Sequence, residues 1–480
     1  RRLNRFPPPA AKIAAAFPNI ATLTTSSGSL ILSVESFFRI RTFIDALEGT
    51  AISGLKHLEN AESNFESHSR AVKEMKEHLD NLPEPNVSIG WAATLKPYQT
   101  AAVHAMKAEG LLGLCLFDEQ GTGKTLTTIA AFDELRNSGQ IDRLLIICPK
   151  TLLGTWEREF GQFLPGKYAV ARLEGVKENR YNRINASIDV FLTTYESATL
   201  DVSEIRSLLK VHKFLVVFDE SFYVKNRDSK RSLSSKKIRE YASKAFVLCG
   251  TPAPNSALDL VHQFDLADLG FTFRDFAPSG DASHDALEIE NCIKARGAYI
   301  RRLKDEVLSS LPQKKFNIID CQMTTGQRAL YDEARAELEL FLLRMDNTVF
   351  RRSLATYFQK RAALLQICVA PYLVEASERT SGKDLELKEL VEKLLQTRDK
   401  KVVIWSSFTK SLDQIELLFS SYGLVRVDGT IHDAKERQEA VSRFQNDPQT
   451  RIFLGNPAAA GAGITLTAAS DAIYVSYPTQ

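Results

Sequence analysis

No stretch of this sequence approaches the roughly 20 consecutive apolar residues that a membrane-spanning helix needs, so no membrane partner is expected. The six cysteines (Cys115, Cys148, Cys249, Cys292, Cys321 and Cys368) are scattered, several of them inside apolar runs. They show neither the paired spacing of a zinc site nor a disulfide framework, which points to a reducing compartment. Bulk charge is almost absent, at +2 over 480 residues, so any nucleic-acid binding must rest on local basic patches. There is no internal repeat and no signal peptide, and the first residue is Arg1 rather than Met, as in a segment of something longer. What remains is a globular composition, 44% hydrophobic and 25% charged. That is enough chain for about two to four domains.

One loop organises the rest: Asp118-Glu119-Gln120-Gly121-Thr122-Gly123-Lys124-Thr125. A short apolar run, Leu111 to Phe117, leads into it, and Leu126, Ile129, Ala130 and Leu135 follow at helical spacing. Strand, glycine turn, Lys-Thr and helix form the context of a phosphate-binding loop, whose N–H groups and helix N-terminus surround a polyphosphate. Gly121, Thr122, Gly123, Lys124 and Thr125 would bind nucleotide, with Lys124 on the β/γ-phosphates and the Thr125 hydroxyl on Mg²⁺. Asp118 stands where the consensus has glycine, and an ordinary glycine-rich strand–helix turn is the competing reading.

Before the loop, residues 58, 61, 65, 68, 72, 75, 79 and 82 alternate at spacings of three and four: Leu, Ala, Phe, His, Val, Met, Leu, Leu. This predicts a long amphipathic helix with a coiled-coil-like seam that His68 interrupts, packed on a neighbour within an N-terminal module or serving as a partner-binding arm. Pro83 and Pro85 end it. After the loop, apolar runs alternate with helical segments, the signature of a parallel α/β sheet. Strands are expected at 143–148, 188–194, 214–218 and 245–248, and a second α/β set at 401–405, 424–427, 451–454 and 472–475, with mostly helical chain between the sets. The run Phe214-Leu215-Val216-Val217-Phe218 delivers Asp219-Glu220 at its C-terminal end, where such sheets place Mg²⁺ chemistry. Asp219 would hold the Mg²⁺ shell and Glu220 would orient and deprotonate the attacking water; a capping role for the pair is the competing reading.

The ordered motifs from residue 89 onward resemble the Swi/Snf-related ATPases, DNA translocases of helicase superfamily two. Leu95-Lys96-Pro97-Tyr98-Gln99 resembles the family's adenine-reading element, which implies Gln99 as the reader. DEQGTGKT resembles the family's DEMGLGKT, which also has Asp at the first consensus glycine. Pro149 with Trp156 and Glu159, then Thr193-Thr194-Tyr195-Glu196, resemble two further segments. Asp219-Glu220-Ser221-Phe222 with Lys225-Asn226 resembles the DESH box followed by KN, with Phe222 in place of His. Gly250-Thr251-Pro252 with Asn255 is similar to GTPxxN, the element linking the nucleotide site to the DNA track. Arg301-Arg302 with Lys304 and Val307 resembles RRxKxxV, and its Leu303 is similar to the distant annealing-helicase branch. In the second half, Leu364 to Pro371, Ser381-Gly382-Lys383, Asp428-Gly429-Thr430 and Ala459 to Ala469 resemble the family's later motifs.

The resemblance implies two RecA-like parallel-sheet lobes with helical insertions and a small α-rich N-terminal module. The expected domains are an accessory module (1–88), a first lobe (89–323) with an insertion at about 256–300, a helical protrusion (324–375) and a second lobe (376–480). It implies ATP and Mg²⁺ as cofactors and DNA as a sequence-independent backbone partner. Thr194, Gly250, Thr251, Ser407, Gly463 and Thr467 are the implied nucleic-acid and coupling residues, although each hydroxyl could instead cap a helix. The family's arginine-finger segment is expected to follow Gln480. The expected activity is ATP-driven translocation on double-stranded DNA, in the nucleoid of a prokaryote or the nucleus of a eukaryote, with the N-terminal module available to a protein complex. A strand-separating or RNA-directed helicase, and an ATP-binding scaffold that does not hydrolyse, are the alternatives.

Overall fold

The computed structural model describes residues 22–23, 30–31, 55–81, 87–308, 314–343, 353–375, 377–378, 380–397, 399–431, 434–460, 464 and 466–477. It forms two compact units, Arg1–Pro312 and Gln313–Gln480. The first is built on seven strands: β1 (Gly113–Leu116), β2 (Arg143–Cys148), β3 (Val170–Arg172), β4 (Val190–Thr194), β5 (Phe214–Asp219), β6 (Lys244–Leu248) and β7 (Tyr299–Ile300). All pair in parallel, in the order β3-β4-β2-β5-β6-β1-β7. Parallel strands need both faces covered, and the side chains of β2 show it. Leu144, Ile146 and Cys148 enter one apolar cluster, and Leu145 and Ile147 the other. The sheet is therefore the middle layer of three.

One face is covered by α1 (Leu55–Asn81), α2 (Pro97–Met106), α3 (Lys124–Asn137) and α4 (Lys150–Phe163). The other is covered by α5 (Leu258–Asp268) and α6 (Ala282–Arg296), among shorter helices. Gly113, at the start of β1, permits a close approach: a Cβ there would lie 2.1 Å from the Ala245 carbonyl oxygen and 2.4 Å from that of Ala267. The buried Arg239 guanidinium ties the same corner, donating to the carbonyls of Leu266 (2.7 Å), Ala267 (2.9 Å) and Leu112 (3.0 Å).

The long N-terminal helix exists, but among the described residues its partners belong to the first lobe rather than to a module of its own. Ala71, Val72 and Met75 join the cluster that holds Trp91, Leu95 and Val103. Phe65 meets Phe271 with ring centroids 5.2 Å apart. His68, expected to break the seam, is fully buried within it: its Nδ1 accepts the Leu112 N–H at 3.1 Å and its ring packs edge-on to Phe271. Its Nε2 is buried without a hydrogen bond among the described residues, 4.0 Å from Asp268 Oδ2, so the ring takes its place in the stripe through Nδ1 and its packing, which residue-type periodicity alone does not register. The seam positions 58, 61 and 82 lie outside the described side chains.

The second unit holds β8 (Val402–Trp405), β9 (Gly423–Val427), β10 (Thr450–Gly455) and β11 (Asp471–Tyr474) in the parallel order β9-β10-β8-β11. Apolar clusters line both faces. Ahead of the sheet, α7 (Thr325–Leu343) packs on α8 (Leu354–Val369), and α9 (Gly382–Leu395) follows. Buried Gln327 joins the three, donating to the Ile367 carbonyl at 2.8 Å and accepting from the Gly382 N–H at 2.9 Å.

If α1 is integral to the first lobe, its buried face carries folding energy. Met75→Ala should destabilise that unit by about 2–4 kcal/mol, while the exposed Lys73→Ala should stay within about 0.5 kcal/mol, both read from urea denaturation. Equal small effects would mean that the helix is only loosely applied.

Candidate nucleotide site

Register brings the site together. Leu116 of β1 lies beside Leu248 of β6, and Leu248 beside Asp219 of β5, so three adjacent strands end at one level. Their exits are the 118–125 loop, Cys249-Gly250-Thr251 and Asp219-Glu220. The C-terminal edge of a parallel sheet is where such folds hold ligands.

The loop adopts a phosphate-cradle backbone. Gly121 (φ 83°) and Gly123 (φ 82°) both take the left-handed conformation that glycine adopts without penalty. Gly123 is the N-cap of α3, so the first N–H groups of a 14-residue helix face out of the loop without intrahelical partners. Lys124 bends back inside it, with Nζ donating to the Asp118 carbonyl at 2.9 Å. Burial lowers its pKa, and the Glu220, Asp219 and Asp118 carboxylates act against that. Thr125 follows at the second helical position, half-buried.

Asp118 explains its own departure from glycine. Arg302 grips its carboxylate with two nitrogens, Nε–Oδ1 at 3.1 Å and Nη2–Oδ2 at 2.6 Å. The same guanidinium lies 5.1 Å over the Tyr98 ring and also donates to the Tyr98 carbonyl. Arg301 ties neighbouring turns, donating to the carbonyls of Phe117 (2.5 Å) and Gly250 (2.9 Å). Arg301-Arg302 was legible as a motif, but nothing in the motif said that it clamps the loop from behind. A Cβ at Gly250 would meet Gln120 Cγ at 2.5 Å, so the exposed Gln120 side chain would have to move aside.

At the other strand, Asp219 is fixed from two sides. Trp156 Nε1 donates to Oδ2 at 2.9 Å, and the Tyr195 hydroxyl donates to the main-chain carbonyl at 2.8 Å. The Glu220 N–H donates to Oδ1 at 2.9 Å. Glu220 itself has φ 49°, ψ 54°, a left-handed conformation that costs a non-glycine residue about 1–2 kcal/mol. Its Oε2 is buried and makes no hydrogen bond among the described residues. Burial, then the Asp219 charge, pushes its pKa up to about 7, with Lys124 opposing. Burial does the same to Glu159 on α4, also to about 7.

Not every expected residue takes its expected place. Both amide atoms of Gln99 are engaged within the protein: Oε1 accepts the Lys96 N–H at 2.9 Å and Nε2 donates to the Thr122 carbonyl at 3.1 Å. Reading adenine with that amide requires these bonds to exchange. The Thr194 hydroxyl accepts the Ser197 N–H at 3.1 Å, so the cap reading holds there. Thr251 is exposed on its turn. In the second unit, Ser407 Oγ is buried without a hydrogen bond among the described residues, and Thr467 Oγ1 accepts from Gln445 at 3.3 Å. Gly463 lies outside the described residues.

A left-handed glycine cradle before a helix, a half-buried lysine, and an aspartate and a glutamate two strands away define the class: a nucleotide-binding α/β lobe of the phosphate-loop type, followed by a second parallel-sheet lobe. The comparisons make the family explicit. Residues 98–373 match the SNF2-related domain and residues 384–480 the helicase conserved C-terminal domain; the chain belongs to the SNF2-related family. It is 27% identical over 455 residues to the SWI/SNF-related matrix-associated actin-dependent regulator of chromatin subfamily A containing DEAD/H box 1 homolog of Caenorhabditis elegans, covering 79% of this chain and 46% of that protein. It is 26% identical over 461 residues to the ATP-dependent helicase fft1 of Schizosaccharomyces pombe, covering 82% and 48%. The chain thus spans about half the length of the curated relatives it matches. Among solved structures, the Sulfolobus solfataricus SWI2/SNF2 ATPase core in complex with dsDNA is 27% identical, covering 79% of this chain and 81% of that one, with a TM-score of 0.41.

The raised carboxyls imply a pH signature in the nucleotide-free protein. An unfolded glutamate titrates near 4.5, whereas Glu159 and Glu220 titrate near 7 when folded, so the folded state holds the extra protons between those values. Their stabilisation is complete below about pH 4.5 and is lost as pH rises through about 7. The thermal midpoint should fall from about pH 5 to about pH 8, and fall less in Glu159→Gln. An unchanged slope in that variant would refute the assignment.

Proposed function

We propose that this chain is an ATP-hydrolysing motor core acting on double-stranded DNA. The observation that carries the reading is the convergence of Lys124 with Asp219 and Glu220 at one level of adjacent strand ends. The residues fit ATP and Mg²⁺: the buried Glu220 oxygen without a partner, the Asp219 oxygens with remaining lone pairs, and the Thr125 hydroxyl supply hard oxygen donors beside the cradle. When bound, Mg²⁺ neutralises charge that develops on the transferring phosphoryl group.

The loop's helix N-terminus and the Lys124 ammonium bind and orient the phosphates. Glu220 aligns a water and takes its proton, a task for which a base titrating near 7 is suited. Asp219, its carboxylate held by Trp156 and its carbonyl by Tyr195, would offer Mg²⁺ one carboxylate orientation. Duplex DNA as the track is supported by family membership and by the relatives' names, which include an ATP-dependent helicase and, in Arabidopsis thaliana, an ISWI chromatin-remodeling complex ATPase. Exposed Thr251 and half-buried Ser407, whose buried Oγ makes no hydrogen bond among the described residues, each stand on a turn after a strand and are suited to phosphate contacts that ignore base sequence. Such contacts locate the protein in the compartment that holds DNA.

The test is ATP turnover with and without linear duplex DNA. Lys124→Ala should weaken nucleotide binding and lower kcat by about 10²-fold or more, while Glu220→Gln should bind nucleotide and lose turnover by a similar factor. Displacement of a triplex strand without fork unwinding would mark translocation rather than strand separation. Turnover indifferent to every nucleic acid would refute the reading.

A further inference from the structure

Helix α5 carries a glutamine that touches both moving parts expected of such a motor without touching nucleotide. Gln263 is fully buried. Its amide nitrogen donates to the carbonyl of Pro252, in the turn after β6, and to that of Asp259 at 2.9 Å on its own helix. Two carbonyl acceptors fix the amide orientation, which leaves Oε1 as an acceptor. The Ser221 hydroxyl, also fully buried, donates to it at 2.6 Å. Ser221 follows the strained Glu220 directly, and Pro252 follows Thr251. One side chain therefore bridges the carboxylate turn and the Gly250-Thr251-Pro252 turn.

The neighbouring residue cannot supply that bridge. Phe222 has no polar atom in its side chain; it packs against the apolar cluster under β5 and meets the Tyr223 ring at 4.7 Å. Salt bridges run the same way without replacing the bridge: Lys225 lies 3.8 Å from Asp259, and Arg227 lies 3.9 Å from Asp265. Neither pair includes Ser221 or Pro252, so neither joins the two turns at the atoms that Gln263 bridges. Gln263 is fully buried, so a shift of either turn must be followed by the other or leave a buried polar atom unpaired.

We propose that Gln263 is a positioning residue that couples the Glu220 turn to the Thr251 turn, so that the state of the hydrolytic carboxylate and the state of the nucleic-acid-facing turn change together. This rests on the motor reading above. It predicts a split that simple loss of packing does not produce. In Gln263→Leu, KM for ATP and turnover without DNA should stay within about threefold, while stimulation by linear duplex DNA falls about tenfold, the change expected from losing one buried hydrogen bond. Ser221→Ala, which removes a single oxygen, should lower the same ratio, and the double variant should fall no further than the worse single one.

The measurement is steady-state ATP turnover across a DNA titration for the parent protein and the three variants, with thermal midpoints alongside. A lowered stimulation ratio with non-additive losses supports the coupling. An unchanged ratio, or losses that add, overturns it, and so does a ratio that falls only together with KM, basal turnover and thermal midpoint. Failure of the motor reading looks different, because the parent protein itself would then show no stimulation. Should Gln263→Leu not fold, Ser221→Ala alone decides the question by the same ratio.

Discussion

The site depends on a backbone strain held in place at Glu220. A glutamate with φ 49° is less comfortable than in a strand or helix, and the structure keeps it there by fixing what stands on either side. On one side Asp219 is held through its carboxylate by Trp156 and through its carbonyl by Tyr195. On the other, the Tyr223 N–H closes the turn on the Glu220 carbonyl at 3.1 Å. The result is a carboxylate turned out of the line of β5, with one buried oxygen left without a partner. Strand and two aromatic donors cooperate to present a single base.

The cradle opposite is supported by a different device. Its glycines take left-handed φ at no cost, so what it needs is a fixed position, and Arg301 and Arg302 provide this from just beyond the strand that closes the sheet edge. The Arg302–Asp118 pair is partly buried and bidentate, a geometry worth more than an exposed surface pair. Asp118 at a consensus glycine is therefore an anchor. The buried α1 face and the Gly113 contact serve the same end further back, by fixing β1 against β6.

Much of this was legible in the sequence because the buried strands are continuous apolar runs. Nine strands were expected at their observed places, and the loop and the carboxylate pair were found at their ends. The two strands missed in the first-lobe sheet, β3 and β7, are edge strands of three and two residues, and the short antiparallel pair Thr22–Leu23 and Leu30–Ile31 was missed as well; Val170 to Arg172 are all half-buried, so no apolar run marks them. His68 was misjudged because residue type cannot say that one backbone N–H waits for its ring. Trp156, Arg302 and Gln263 act through contacts across 63, 184 and 42 residues of chain. Such pairings come from strand order and not from local pattern. The expected role of Thr194 illustrates the converse: its motif was readable, but local capping chemistry had already claimed the hydroxyl.

The central claim is that Glu220 is held in a conformation its residue type resists. Unfolding free energies of Glu220→Gly and Glu220→Ala test it most directly, because both variants lose the carboxylate and differ only in backbone preference. The account predicts that the glycine variant is the more stable by about 1 kcal/mol, since glycine accepts positive φ and alanine does not. An alanine variant more stable than the glycine one, the order found at ordinary strand and helix positions, would contradict it.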